Sequence, residues 1–481
     1  MTAGHLPGGE EATGTMTNPM FVFDEKMAEL VLGYCRDRLA LDPVPLDFGG
    51  YATPFRDVLD GLIGPEGNDP AHVLDLFAER LATGVISSDS PRFVSFIPAA
   101  PTKASLLFDM VVSCSSLHAT SWLEAAGAVS AENQALRVLA DLAGLPAGAG
   151  GCFVAGGSAA NLSALMVARD TASHRGHGAS RPKIACSEEA HSSVGKALRV
   201  LGIEEYVVPS VDHRLTGETL EAALAADPEG AADVVAVVAT AGTTNAGIVD
   251  DLKGVAEVAR RRKLWFHVDG AYGGGALFAP SVRPLFDGIE QADSLVIDPH
   301  KWLFAPYDCA ALLYRQPALA KAVHTQDAAY LDIIHESMPG ADDVPSETSG
   351  GAEEPWNPSD YAYHLSRRAR GLPLWFSLAV YGTNAYREAV ETVLDTSRAA
   401  AAAVEAAPHL ELVRQPTLSI VLFRRQGWSR ADYDAWSART LAEQIAFVTP
   451  TAWEDEPAAR LALLNPETTI GVVHEILDTM A

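Results

Sequence analysis

From Gly151 to Tyr314 the chain alternates short apolar runs (CFVA, KIACS, YVVP, VVAVVAT, LWFHVD, SLVID, CAALLY) with stretches of helical periodicity such as ANLSALMVARD, SVGKALRVLG and LKGVAEVARRRK. Strands buried on both faces read as continuous apolar runs, and parallel neighbours must be joined by a crossover long enough to hold a helix. The alternation therefore predicts an α/β fold with a large, mainly parallel sheet covered by helices. In such sheets ligands lie beyond the carboxyl ends of the strands, so the residues that follow each run are the ones to inspect for chemistry.

The flanks read differently. Residues 1–20 carry Gly, Thr and acids without periodicity and are expected to be a disordered tail. Pro/Gly-punctuated helical patterns such as EKMAELVLGYCRDRLA make residues 21–100 a helical arm. Residues 101–370 are the expected large domain, and 371–481, with a long helix, the pattern LELVRQPTLSIVLFRR and the run ARLALLNP, a small α+β domain. Between Lys321 and Arg367 there is no Lys or Arg, while nine carboxylates accumulate from Asp327 to Asp360. A long acidic segment of this kind, about 325–360, is either a mobile lid or a plain solvated loop.

Composition narrows the partners. A formal charge of −27 repels phosphate backbones and anionic membrane surfaces, so neither nucleic acid nor membrane is expected. The five cysteines are odd in number, widely spaced and free of CxxC, which fits reduced cytoplasmic thiols and no metal cluster. No basic segment followed by an apolar core opens the chain, and no window of ~18 apolar residues follows.

Chemistry-bearing residues stand at successive strand ends. Gly156-Gly157-Ser158 opens a helix after CFVA, where free N–H groups and the helix dipole favour an anion. A Gly turn with Ser158 as N-cap explains the same residues, and the spacing also comes near a GxSxG elbow, so a serine hydrolase using Ser158 is a rival. His191 follows KIACS, and Asp269 ends LWFHVD before a run of small residues. Lys301 follows SLVID between His300 and Trp302, an apolar setting that should depress an amine's pKa and make it nucleophilic. An acid ending an apolar strand calls for a cation, and a protonated ring nitrogen is one. Singly these are a helix start, a strand end and a surface lysine; jointly they describe a pocket for pyridoxal 5'-phosphate.

The segments SPRFVSFIPAAPT, GGCFVAGGSAANLSAL, EEAHSSVGKAL, ATAGTTNAGIVDDL, FHVDGAYGG, DPHKWLFAPYDC and RRARGLPLWF resemble the group II pyridoxal phosphate-dependent amino acid decarboxylases, a fold-type-I family that includes aromatic L-amino acid and glutamate decarboxylases. The resemblance implies a homodimer with its site at the interface and a carboxy-lyase acting on an L-amino acid with an aromatic or bulky apolar side chain. It implies that Lys301 bonds the cofactor, Asp269 partners the pyridine nitrogen, His191 stacks on the ring and Ala271 lies on the opposite face. Gly157, Ser158 and His300 correspond to phosphate-side positions and Thr244 to a threonine beside the cofactor. Phe96 and Pro98 match a pocket-lining segment, and Arg460 matches an arginine that holds a substrate carboxylate.

Three positions depart from the pattern. Aligned without gaps on RRARGLPLWF, Pro358 stands where the family's mobile loop carries a tyrosine, with Tyr361 and Tyr363 close by as candidates for its role. Members lacking that tyrosine include oxygen-using aldehyde synthases, the alternative reaction. Asp298 replaces a common Asn, and Gly270 a common Ala. A scaffold without cofactor is a third reading, against which Lys301, Asp269 and His191 all stand.

Overall fold

All seven apolar runs form strands: β1 (Gly150–Val154), β2 (Lys183–Ser187), β3 (Glu204–Val208), β4 (Val234–Thr240), β5 (Trp265–Asp269), β6 (Ser294–Ile297) and β7 (Ala310–Tyr314). They make one sheet in the order β1-β7-β6-β5-β4-β2-β3, in which β7 alone runs against its neighbours. Every residue of β4, β5 and β7 is buried, the two-sided covering that their uniformly apolar sequences anticipate. The structure is a computed structural model that describes residues 18–47, 55–97, 100–177, 181–335 and 355–481. Most of the expected tail, the middle of the expected acidic loop and Pro98 lie outside the described residues.

The chain divides into two compact units, Met1–Asp42 with Asp47–Val85, and Pro43–Leu46 with Ile86–Ala481. In the first, helix Glu25–Leu39 is capped by Asp24 and helix Pro70–Leu76 by Asp69, and neither buries any of its residues. The division falls earlier than the 21–100 arm expected from sequence, because the SPRFV segment is stitched into the second unit. Val94 N–H donates to Phe447 O at 3.1 Å, Phe447 N–H to Arg92 O at 2.9 Å and Ala462 N–H to Val94 O at 2.9 Å.

A second, four-stranded sheet, β8 (Leu410–Leu412), β9 (Ile420–Arg425), β10 (Thr451–Trp453) and β11 (Glu456–Ala462), is antiparallel in the order β10-β11-β9-β8. β10 and the helix Ile470–Asp478 escaped the sequence reading; β10 is three residues long, too short to show a period.

The carboxyl end of the acidic segment is not a loop. Trp356 Nε1–H donates to Gly151 O at 2.9 Å, its ring stacks on Tyr361 at 4.2 Å, and Asn357 Oδ1 accepts from Trp122 N–H at 2.9 Å. Pro358, Ser359 and Asp360 form a buried turn. Part of the acidic span is thus core rather than lid.

Helix Trp122–Leu142 and the RRARG segment are joined by a buried ion pair. Arg367 reaches Glu132 through Nη1 at 2.7 Å and Nη2 at 2.8 Å, and Glu132 Oε1 also accepts from Gly371 N–H at 2.8 Å, just before helix Leu372–Ala406. Both side chains are almost fully buried, so deleting one partner strands the other's charge, at a cost of about 3–5 kcal/mol. Glu132→Ala should therefore lower the thermal midpoint sharply, whereas removal of the exposed pair through Arg430→Ala should leave it nearly unchanged; differential scanning calorimetry of both variants checks this.

Candidate active site

The carboxyl ends of β1, β2, β4, β5 and β6 open on one cleft of about 510 Å³. Gly157, Ser158, His191, Thr244, Asp269, Ala271, His300 and Lys301 all line it. The sequence placed these residues at strand ends; the sheet order brings those ends together.

Each is set by local structure. Helix Gly157–Asp170 starts directly after β1, and its first residues, Gly157, Ser158 and Ala159, line the cleft. A Cβ at Gly157 would lie 2.9 Å from Asp298 Oδ2 and 3.1 Å from Ala271 Cβ, so only glycine lets the turn sit this close to both. His191 caps helix Ser192–Leu201, its Nδ1 accepting from Ser193 N–H at 3.2 Å, and this leaves the ring exposed to the cleft. Thr244 lies in the turn after β4, which Gly242 enters at φ +110°, a left-handed conformation suited to glycine.

Asp269 ends β5 at 5% exposure, and its carboxylate accepts from Asn161 Nδ2 at 2.9 Å and from Ala271 N–H at 3.1 Å. Two donors make the burial of this charge tolerable. Behind it His267, two residues earlier on the same face of β5, is wholly buried and held down to about 4 by that burial, against the pull of Asp269, so it is neutral at pH 7.

Lys301 overturns one expectation. Burial does push its amine down, but Asp298, and to a smaller extent Asp269, more than offset this and leave it above the ordinary lysine value. Lys301 Nζ is 3.0 Å from Asp298 Oδ2, whose side chain is 1% exposed. The same oxygen accepts from Gly157 N–H at 3.2 Å, while Asp298 Oδ1 is buried without a hydrogen-bond partner among the described residues. The amine is thus stored as an ammonium with its own base beside it. His300 Nδ1 accepts from Cys309 N–H at 3.0 Å, and burial holds this ring below the usual histidine range.

Arg460, Phe96, Tyr361 and Tyr363, the other expected residues that are described, do not line the cleft. Arg460 donates to Thr244 O at 2.5 Å and Asn245 O at 3.2 Å, and burial brings it down to about 10. Its guanidinium holds the turn that carries Thr244 and does not line the cleft. Phe96 is 61% exposed, packed on Phe93 and Phe447. Tyr361 is buried under Trp356, and Tyr363 lies exposed on the surface. Among the described residues no hydrogen bond joins Ser158 to a histidine, so the hydrolase geometry is not assembled.

Sequence reasoning missed Asn161, Ser193, His267 and Tyr307. Asn161 follows Gly157 by four residues, one helical turn, and His267 precedes Asp269 by two, the strand period; both intervals put them beside residues already singled out. Tyr307 lines the cleft with its ring 4.9 Å from that of His300.

Amide N–H groups at a helix start, a small-residue wall at Ala271, an acid bonded in place and an amine with a base fit a phosphorylated pyridine aldehyde. The description "Pyridoxal-dependent decarboxylase conserved domain" matches residues 62–426. The chain is 30% identical over 437 residues to an aromatic-L-amino-acid decarboxylase of Bacillus atrophaeus, covering 89% of this chain and 87% of the relative. It is 33% identical over 395 residues to an L-2,4-diaminobutyrate decarboxylase of Rhizobium meliloti (strain 1021), covering 78% and 74%. The fold matches that of Oryza sativa TDC solved with PLP and tryptamine at a TM-score of 0.84 and 24% identity, covering 97% of this chain and 99% of that one. The family match, over most of the chain and across the whole sheet that builds the cleft, makes this protein a member of the pyridoxal phosphate-dependent amino acid decarboxylases.

Proposed function

We propose that the cleft decarboxylates an L-amino acid with an aromatic or bulky apolar side chain, giving the amine and CO2. In this reading Lys301 would bond the cofactor, Asp269 would partner its ring nitrogen, His191 and Ala271 would lie on opposite faces of its ring, Gly157, Ser158 and His300 would hold its phosphate side, and Thr244 would stand beside it. The observation that carries the reading is the meeting of Lys301, Asp269 and His191 in one cleft at the strand ends.

The bound cofactor supplies an electron sink for the pair left on Cα as CO2 departs. The protein's part is positional and electrostatic. Lys301 becomes a nucleophile by passing a proton from Nζ to Asp298 Oδ2, 3.0 Å away. Asp269, fixed by two hydrogen bonds, would hold a proton at the ring nitrogen of the bound cofactor. His191 and Ala271 fix the plane against which the Cα–carboxylate bond must stand. Tyr272 and Tyr307 are the cleft's two described tyrosines, and Tyr307, whose ring lies 4.9 Å from that of His300, is the phenol to which this reading gives the return of a proton to Cα.

The aldehyde-synthase alternative draws on the same region, since Pro358 sits in a buried turn and Tyr361 beneath a tryptophan. Homodimerisation is supported by the first unit, whose capped helices bury nothing and whose Met20, Phe21 and Phe23 are about 80% exposed. Phe96 offers a further exposed apolar ring suited to a subunit interface or an apolar substrate. A cytoplasmic setting is supported by five unpaired cysteines.

Screening L-amino acids for CO2 release tests the reading: an aromatic or bulky apolar substrate should give amine and CO2 in equal amounts, and stoichiometric peroxide would assign the chain to the aldehyde synthases instead. Lys301→Ala should abolish both CO2 release and the visible absorption of the loaded protein while leaving it folded. In the cofactor-free protein, Asp298→Asn removes the charge that raises Lys301, so the pH at which Nζ becomes reactive should fall. The pH profile of Lys301 labelling by an amine reagent measures that shift.

A further inference from the structure

Behind the cleft a chain of buried hydrogen bonds runs from Trp265 to His191. Trp265 Nε1 is 2.8 Å from Ser294 Oγ, and Ser294 Oγ is 2.8 Å from His267 Nδ1. His267 Nε2 is 3.0 Å from Asn161 Oδ1. Asn161 Nδ2 reaches Asp269 Oδ2 at 2.9 Å and Ser193 Oγ at 3.0 Å, and Ser193 Oγ is 2.8 Å from His191 Nδ1.

The direction of every bond follows from three groups that have no choice, the third being the Ser193 backbone N–H, which only donates. An indole N–H only donates and an ionised carboxylate only accepts. Asp269 therefore fixes the nitrogen of the Asn161 amide toward itself and Ser193, which turns Oδ1 toward His267. An amide oxygen needs a donor, so His267 carries its proton on Nε2. The ring is neutral, leaving Nδ1 bare to accept from the Ser294 hydroxyl, whose oxygen receives the Trp265 N–H. On the other branch the Ser193 backbone N–H can only donate, so His191 Nδ1 is bare and the Ser193 hydroxyl, which also receives Asn161, sends its proton there.

We propose that Ser193 and Asn161, backed by His267, Ser294 and Trp265, are positioning residues that lock His191 in the Nε2–H form and so present a fixed N–H donor to an oxygen of the ligand in the cleft. The same amide that orients Asp269 orients His191, so the two groups assigned to the ring nitrogen and the ring face are set by one side chain. The consequence for catalysis rests on the decarboxylase reading; the state of the imidazole does not.

Nitrogen-15 NMR of the cofactor-free protein, with ring signals assigned through His191→Gln and His267→Gln, tests the lock. Both rings should show a bare Nδ1 and a protonated Nε2 when neutral, and a proton on Nδ1 of either would overturn the proposal. Ser193→Thr, which keeps the hydroxyl, should retain the wild-type signature. Ser193→Ala, which leaves only the backbone donor, should give a mixture of forms at His191 with kcat lower by about tenfold and KM little changed. An unchanged His191 spectrum in folded Ser193→Ala would contradict the relay. Intact signatures in a protein that decarboxylates nothing would instead defeat the functional reading and leave the lock standing.

Discussion

A carboxylate at the end of a fully buried strand is the constraint around which this structure is arranged. Asp269 closes β5 with 5% of its surface exposed, where a charge without donors would cost several kcal/mol. Asn161, from the helix that opens the cleft, and the Ala271 amide meet that need. Meeting it dictates much else: the helix must start close enough to β5 for Asn161 to reach, so Gly157 has no room for a side chain, and His267 must carry a proton on Nε2 to serve the amide's other end. The anion that burial makes costly is also the group able to hold a proton at a pyridine nitrogen.

The second charge balance, between Lys301 and Asp298, works differently. A lysine in an apolar wall would be uncharged and ready to react; this one is charged because an almost fully buried carboxylate faces it at 3.0 Å. Among the described residues Asp298 Oδ1 has no hydrogen-bond partner, a cost of about 1–3 kcal/mol that stable packing alone would not favour. Such unmet groups concentrate at functional sites. Asp at position 298 makes the proton on Lys301 a matter between two neighbours rather than between an amine and solvent.

The sheet and the strand-end residues were legible in the sequence because burial on both faces leaves an unbroken apolar run, and the chemistry comes where each run stops. Gly157, His191, Asp269 and Lys301 needed only that rule and the fold's topology. Side-chain contacts gave no such signal. Arg460 has the residue type for a carboxylate, yet its guanidinium is taken by two backbone carbonyls. Tyr361 lies three residues from Pro358 in sequence but under Trp356 in space. Asn161 and His267 act through side-chain hydrogen bonds, which a linear pattern does not encode, although their intervals from Gly157 and Asp269 put them on the right faces.

The central claim is that Lys301 is the residue through which this cleft holds its cofactor. Borohydride reduction of the pyridoxal phosphate-loaded protein followed by peptide mass mapping tests it without any substrate. One modified peptide, containing Lys301, is expected, with the label lost in Lys301→Ala. A label on another lysine, or none after loading, would contradict it.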